Sequence, residues 1–449
     1  MEIEKVVSTY ERECDFLDIR FVEGHFLSIA CEDEVKCGAQ TTWGVGVRAL
    51  VDGFWAFSST SDISSLDQSV KTCVKAAQHL GPGDAVLPEC DFHRGQFTHS
   101  VKENVKDTDI SEKIRDLLSI RNTMALPYIR EVKIYYRECE GRKRIINTMG
   151  CDVEESFSQV TLDFFSVAFQ KGRVEMASDR KYRPGGYELV KTIGDIPVDV
   201  SKRAEELLSA TQLKEGIYPV ILDSELTGVF AHEVLGHCAE ADIAWESKSF
   251  LQDKMNERIT CEDISVCDDP QLQDGCVFFL YDDEGVPSRK TVLVCKGIFK
   301  EFLHSAETAA LHHTTPTGNC RADTYSRRPV VRMTNTYIEP GKETIEELIE
   351  PVHEGLFLKK TFGAQVDITT GRFVFKAQEG ELIEQGEPTK KVKNVLIYGT
   401  MEEFLKSIVG VGRDFALSSG TCAKVDQTLI IGSGGPPLRL SQMRIGGSP

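Results

Sequence analysis

The chain is 449 residues long and sets 52 Lys and Arg against 70 Asp and Glu, a formal net charge of −18. About 150 residues per domain makes two or three domains the expectation, and 41% apolar with 27% charged residues is an ordinary globular composition. The acidic balance argues against wrapping nucleic acid or lying on an anionic membrane, since both need positive charge facing phosphates.

The opening MEIEKVVSTYERECDF is charged from its second residue and has no apolar run, so no signal peptide is expected. No stretch of about 18 apolar residues occurs, which leaves no candidate membrane span. Fourteen cysteines run from Cys14 to Cys422 without a C-x-x-C pair. That pattern suits a reducing cytoplasm with mostly buried free thiols better than a disulfide framework.

Expected is an α/β (α+β) chain in which mixed α/β units precede a β-rich part. An N-terminal α/β domain spans 1–110. In it FVEGHFLSIACEDEVK has strand character, and TTWGVGVRALVDGFWAFSST forms two strands about a Val51-Asp52-Gly53 turn. Leu66, Val70, Val74 and Ala77 recur at helical spacing within 62–80, and Gly81-Pro82-Gly83 ends that helix. Residues 83–110 lack a period and read as a linker or long loop. A central α/β domain, 111–212, starts with the helical SEKIRDLLSIRNTM, continues through strand-like segments and closes with SKRAEELLSATQL. The β-rich C-terminal domain, 213–449, is interrupted by helical stretches near 224–242 and 400–409. No internal repeat or low-complexity tract is present.

The densest chemistry lies in YPVILDSELTGVFAHEVLGHCAEAD, a strand ending at Asp223 followed by a helix. The zinc motif H-E-x-x-H places two histidines at i and i+4 on one helical face; here His232, Glu233 and His237 form H-E-x-x-x-H. Positions i and i+5 lie about 140° apart around a regular helix. A shared metal therefore demands a bulge or a break, which costs least at Gly236-His237. Without a metal, both are ordinary helix histidines. With one, Glu233 is placed to accept a proton from a metal-activated water and pass it to a leaving amine. Glu240 and Asp242 either orient a ligand imidazole or stand as surface carboxylates. A third ligand is needed, and His304, His312, His313, His353, any carboxylate or a thiolate are chemically eligible.

The segment resembles the TldD branch of the TldD/PmbA metallopeptidases, and the resemblance extends along nearly the whole chain. It is carried by Gly44-Val45-Gly46-Val47-Arg48-Ala49, by 232–242, by Thr315-Pro316-Thr317-Gly318-Asn319 and by Arg332-Met333-Thr334-Asn335-Thr336-Tyr337 with Pro340-Gly341. Gln365-Val366-Asp367 with Phe373-Val374-Phe375, Val411-Gly412, Gly420-Thr421-Cys422-Ala423-Lys424 and Gly434-Gly435-Pro436 complete it. The resemblance implies Zn2+ held by His232, His237 and Cys422, with Glu233 as general base and later acid. It implies a zinc-dependent hydrolase of short or unfolded peptides, working in a dimer with a PmbA-like (TldE-type) subunit or with itself. The alternatives it leaves are the non-catalytic scaffold subunit of such a complex and a zinc hydrolase of non-peptide amides. Two imidazoles and a thiolate leave an open fourth position for water. Two departures stand out: the 179–188 segment, DRKYRPGGYE, is more basic than the glycine-rich block of bacterial relatives, and Ala423 stands where glycine is common.

Gly432–Pro437 lacks the G-x-x-x-x-G-K-[ST] pattern and reads as a strand-end turn. His312-His313 reads as a pair of loop histidines, and Arg321, Arg327, Arg328 and Arg332 read as structural salt-bridge partners.

Overall fold

The computed structural model describes residues 3–87 and 90–447. Seven strands of the first half form one sheet: β1 (Phe16–Cys31), β2 (Val35–Val51), β3 (Phe54–Thr60), β4 (Arg94–Thr98), β5 (Ile129–Asn147), β6 (Asp152–Gln170) and β7 (Arg173–Pro184). Their order is β3-β2-β1-β5-β6. Along the last edge β4 runs parallel to Asp152–Ser156 of β6, and β7 runs antiparallel to Gln159–Gln170. Asp52 and Gly53 both take positive φ, 48° and 76°, the geometry of the tight hairpin that joins β2 to β3. The helix Leu66–Leu80 buries Leu66, Val70, Cys73, Val74 and Ala77 and stops at Gly81, φ 84°. The expected loop at 83–110 contains β4 instead; Pro88 and Glu89 of that stretch lie outside the described residues. β4 has little pattern of its own because it is held by pairing with β6.

Strand alternation explains the G-V-G-V-R-A segment. Val45, Val47 and Ala49 are buried against the Leu66–Leu80 helix. The other face meets the C-terminal half. A Cβ on Gly44 would lie 2.4 Å from the Tyr325 ring, and one on Gly46 would lie 2.5 Å from the Tyr325 carbonyl oxygen. Arg48 is buried there between Asp18 and Glu284.

The second half adds β8 (Gly216–Leu222), β9 (Val266–Asp268), β10 (Thr291–Cys295), β11 (Ile298–Phe299), β12 (Cys320–Arg321), β13 (Val330–Val331), β14 (Asn335–Ile338), β15 (Glu354–Asp367), β16 (Arg372–Glu384), β17 (Glu387–Thr400), β18 (Ile408–Val411), β19 (Ala416–Lys424), β20 (Gln427–Gly435) and β21 (Leu438–Gly447). Strands β17-β16-β15-β8-β21 close on themselves through β17–β21 pairing, forming a small barrel with β18 beside β21. A second sheet runs β11-β10-β9-β14-β20-β19, which leaves β19 at an edge. Gly432–Gly435 thus belongs to β20 rather than to a turn. The mixed α/β class holds, with strand outweighing helix, 45% against 22%. No helix among the described residues is long and apolar enough to cross a membrane.

The barrel and the second sheet share one core, into which the helix Ser224–Phe230 is wedged. Phe230 stacks on Phe375 and on Phe404 at 3.9 Å between ring centroids. On the sheet side the helix sits so close to β20 that a Cβ on Gly228 would meet the Gly434 nitrogen at 2.4 Å. These two contacts fix the start of the helix that carries the histidines.

Candidate metal centre

Asp223 caps that helix by accepting from the Leu226 N–H at 2.8 Å. After Phe230 the backbone widens into a π-helical turn over Ala231–Gly236, and the His237 N–H donates to the His232 carbonyl. An i→i+5 bond places residue i+5 above residue i, which is what the H-E-x-x-x-H spacing requires. The irregularity begins five residues before Gly236. Gly236 itself is helical (φ −60°, ψ −58°); its lack of a side chain serves packing, since a Cβ would lie 1.9 Å from Met333 Sδ. The helix breaks at Glu240, where ψ is 115°.

The imidazoles of His232 and His237 stand 4.9 Å apart at 74°. Cys422, from the edge strand β19, brings its Sγ to 3.2 Å from His237 Nε2. One donor atom from each of the three lies within 4.8 Å of the others, the only such histidine, cysteine and carboxylate group among the described residues. Bond lengths of about 2.0–2.3 Å set ligand atoms about 3.3–3.6 Å apart in a tetrahedral site, so small side-chain movements suffice. His232 Nδ1 is buried without a hydrogen-bond partner among the described residues. A thiolate and two imidazoles match the preferences of Zn2+. The residues present therefore fit the ion.

Electrostatics reinforce the cluster. Burial alone raises a thiol, but the hydrogen bonds and charges of His232 and His237 outweigh it and bring Cys422 down to about 5. Burial would lower His237, yet the Glu240 carboxylate and the Cys422 sulfur push it well above the usual histidine range. Glu240 is fully buried; burial raises its carboxyl, but Lys424 and His237 hold it at about 2. Its Oε2 lies 2.9 Å from His237 Nδ1. Asp242 does not touch either histidine: it takes Lys424 Nζ at 2.8 Å, and Lys424 in turn stands 3.4 Å from Glu240. Arg332, completely buried, donates to the Cys422 carbonyl oxygen.

Glu233 brings its Oε2 to 4.0 Å from His237 Nε2, and with His232 it lines a cleft of ≈ 420 Å³. β19 contributes Ser418 to Thr421, the β15 bulge contributes Thr361 to Ala364, and β6 and β7 contribute Asp163, Phe165, Asp179 and Arg180. The remodelled 179–188 segment therefore borders the cleft. Arg332, expected as a salt-bridge partner, instead supports the Cys422 backbone, and Lys424 follows Cys422 by two in a strand and so shares its face. The cleft residues of β6 and β15 carry no such sequence signal, whereas Asp179 and Arg180 of β7 open the basic 179–188 segment.

The other candidates lie elsewhere. His304 is buried beside Trp245, Phe302 and His312, and His312 stacks on Trp245 at 3.6 Å. His353 bonds Gln385. Among the described residues, only Arg328 of the four arginines forms an ion pair, with Glu307 at 2.8 Å; Arg321 and Arg332 donate to backbone carbonyls. All fourteen cysteines are free, and only Cys37 and Cys295 are exposed.

Comparison with known proteins matches three sequence profiles: "PmbA/TldA metallopeptidase domain 1" at residues 17–77, "PmbA/TldA metallopeptidase central domain" at 103–209 and "PmbA/TldA metallopeptidase C-terminal domain" at 215–447. A metalloprotease of Methanocaldococcus jannaschii is 32% identical over 95% of this chain and 96% of its own. A zinc metalloprotease TldD homolog of Saccharolobus solfataricus is 29% identical over 97% of this chain and 98% of its own. The crystal structure of TldE from Thermococcus kodakarensis superposes with a TM-score of 0.81 at 20% identity, over 99% of this chain and 100% of that one.

Proposed function

Because the chain belongs to the TldD/PmbA metallopeptidase family, we propose that it is a zinc-dependent peptidase hydrolysing short or unfolded peptides. His232, His237 and Cys422 hold the ion, and Glu233 is the general base. The convergence of the three donor atoms within 4.8 Å, beside a cleft that His232 and Glu233 line, carries the reading. A zinc metalloprotease name among the relatives supports the choice of metal. When bound, zinc supplies Lewis acidity, acidifying a water at its open position and polarising the peptide carbonyl.

The chain's own residues do the rest. Glu233 takes a proton from the attacking water and delivers it to the departing amine nitrogen. Glu240 accepts from the Nδ1–H of His237, which keeps Nε2 turned toward the cluster. The free edge of β19 offers backbone N–H and C=O groups to an extended substrate, which favours peptides of varied sequence over folded proteins. We take the chain as three domains, 1–110, 111–212 and 213–449, and a PmbA-like subunit or a second copy completes the working dimer.

Metal content by elemental mass spectrometry, with hydrolysis of an unstructured peptide, tests this. About one zinc per chain is expected, lost in Cys422→Ala; Glu233→Gln keeps the metal and loses cleavage. Cleavage that survives Glu233→Gln, or a chain free of zinc after purification without chelator, refutes it.

A further inference from the structure

Backbone pairing along β19 does not distinguish one sequence from another, yet the β15 bulge that also lines the cleft is built to present the Phe362 ring. Between Thr361 and Ala364 the β15–β16 register slips, forming a bulge. Its backbone is held at several points. Lys360, at φ 58°, anchors to Asp179 at 2.8 Å and Glu225 at 2.9 Å. The Thr361 N–H donates to Glu225 Oε1 at 3.1 Å, Gln378 donates to the Thr361 carbonyl at 2.6 Å, and the Gly363 N–H donates to Thr361 Oγ1 at 2.8 Å. Gly363 sits at φ 102°, a conformation that side chains disfavour. The residue these contacts enclose, Phe362, remains 41% exposed and lines the cleft, with Lys376 Nζ 5.2 Å from its ring centroid. A lone exposed apolar side chain is unremarkable on a surface; one fixed on a pinned bulge at the cleft wall, with Val229, Phe165 and Ile431 lining the same cleft, is a recognition element.

We infer that Phe362 determines specificity, packing against an apolar, preferably aromatic, side chain of the bound peptide. This rests on the peptidase reading of the cleft. The geometry also sets which substrate residue it reads. Thr361 is bonded to Glu225, eight residues before Glu233 on the same helix, or about 12 Å at about 1.5 Å per residue. An extended peptide covers that distance in three to four residues at about 3.3 Å each, with about one residue of latitude for the length of the Phe362 side chain. The recognised side chain therefore lies two to four residues from the cleaved bond rather than beside it.

The test compares wild type, Phe362→Ala and Phe362→Leu on one library of unstructured peptides, with cleaved bonds mapped by mass spectrometry. Expected is enrichment of Phe, Leu and Met, about fivefold or more, at one position two to four residues from the cut. It should be lost in Phe362→Ala and reduced in Phe362→Leu. A second readout needs no turnover: a Phe-containing peptide should bind the Glu233→Gln protein about tenfold more tightly than its Phe-free counterpart, from aromatic contact and burial, and Phe362→Ala in that background should abolish the difference. Cleavage with the same preferences in Phe362→Ala, or with no positional preference in wild type, overturns the inference and leaves the peptidase reading standing. Absence of cleavage by wild type counts against the peptidase reading, and the binding pair then decides this inference alone.

Discussion

Replacing Gly236 by alanine sets two effects of known size against each other. Gly236 has ordinary helical angles, so propensity alone favours alanine by about 1 kcal/mol. The added Cβ, however, would fall 1.9 Å from Met333 Sδ, and Met333 is itself only 1% exposed. A thioether in a closely packed core has nowhere to swing, and overpacking of this kind costs about 1–3 kcal/mol. The clash wins, leaving Gly236→Ala destabilised by up to about 2 kcal/mol. Met333→Ala alone should cost about 2–5 kcal/mol through its cavity, but in that background the obstruction is gone and Gly236→Ala should become stabilising by about 1 kcal/mol. The sign therefore reverses, with a coupling of about 1–3 kcal/mol. Hydrogen exchange of the amides in 224–239, read by mass spectrometry in all four proteins, reports the opening free energy of this helix directly. Greater protection in Gly236→Ala alone, or the same sign in both backgrounds, would refute the steric reasoning.

Three further outcomes follow from the same contacts. Gly228→Ala meets backbone atoms, Gly434 N at 2.4 Å and Ser433 C at 2.6 Å, which cannot move aside. It should cost about 3 kcal/mol and lower metal stoichiometry by displacing the helix, whereas unchanged stability by urea denaturation would contradict the close approach. Glu240→Gln removes the buried charge that holds His237 Nδ1 and should weaken zinc binding about 10–100-fold in chelator competition; equal affinity would show that Glu240 is not a positioning residue. Burial, with the nearby charges of His312 and Arg289, lowers His304 to about 4. The unfolded chain therefore takes up a proton near pH 6.5 that the folded chain refuses until about pH 4. This stability is complete above pH 6.5 and erodes as pH falls toward 4, by up to about 3 kcal/mol at about 1.4 kcal/mol per pH unit. His304→Leu should flatten denaturation midpoints between pH 7 and 4.5 relative to wild type; parallel curves would argue against it.

Much of the first half was legible because its signals are local. Leu66, Val70, Val74 and Ala77 mark one helical stripe, and Asp52-Gly53 can take positive φ at both positions. β4 was not legible: Arg94-Gly-Gln-Phe-Thr98 has no strong alternation and becomes a strand only through β6. Nor was the course of Gly432–Gly435, since a glycine-rich strand is read as a turn until the neighbours that crowd it, Asn335 at Gly432, Ala416 and Leu417 at Gly434 and Thr227 at Gly435, are in view.

The site divides along the same line between local and distant causes. The five-residue step from His232 to His237 already forbids a regular α-helix if both side chains are to meet, and the i→i+5 bond between those two residues is the backbone's answer. The step says only that a distortion is required, because it leaves open whether the histidines meet at all. What brings them together is held elsewhere: Phe230 clamped between Phe375 and Phe404 upstream, the break at Glu240 downstream, and Met333 filling the space beside Gly236. Cys422 arrives from 185 residues beyond His237 on the edge strand β19, a pairing no spacing rule contains. Lys424, two residues along the same strand, then ties Glu240 to that edge. Moving β19 would thus disturb the thiolate and the support of His237 together, which couples any change at this peptide-accepting edge to the geometry of the metal centre.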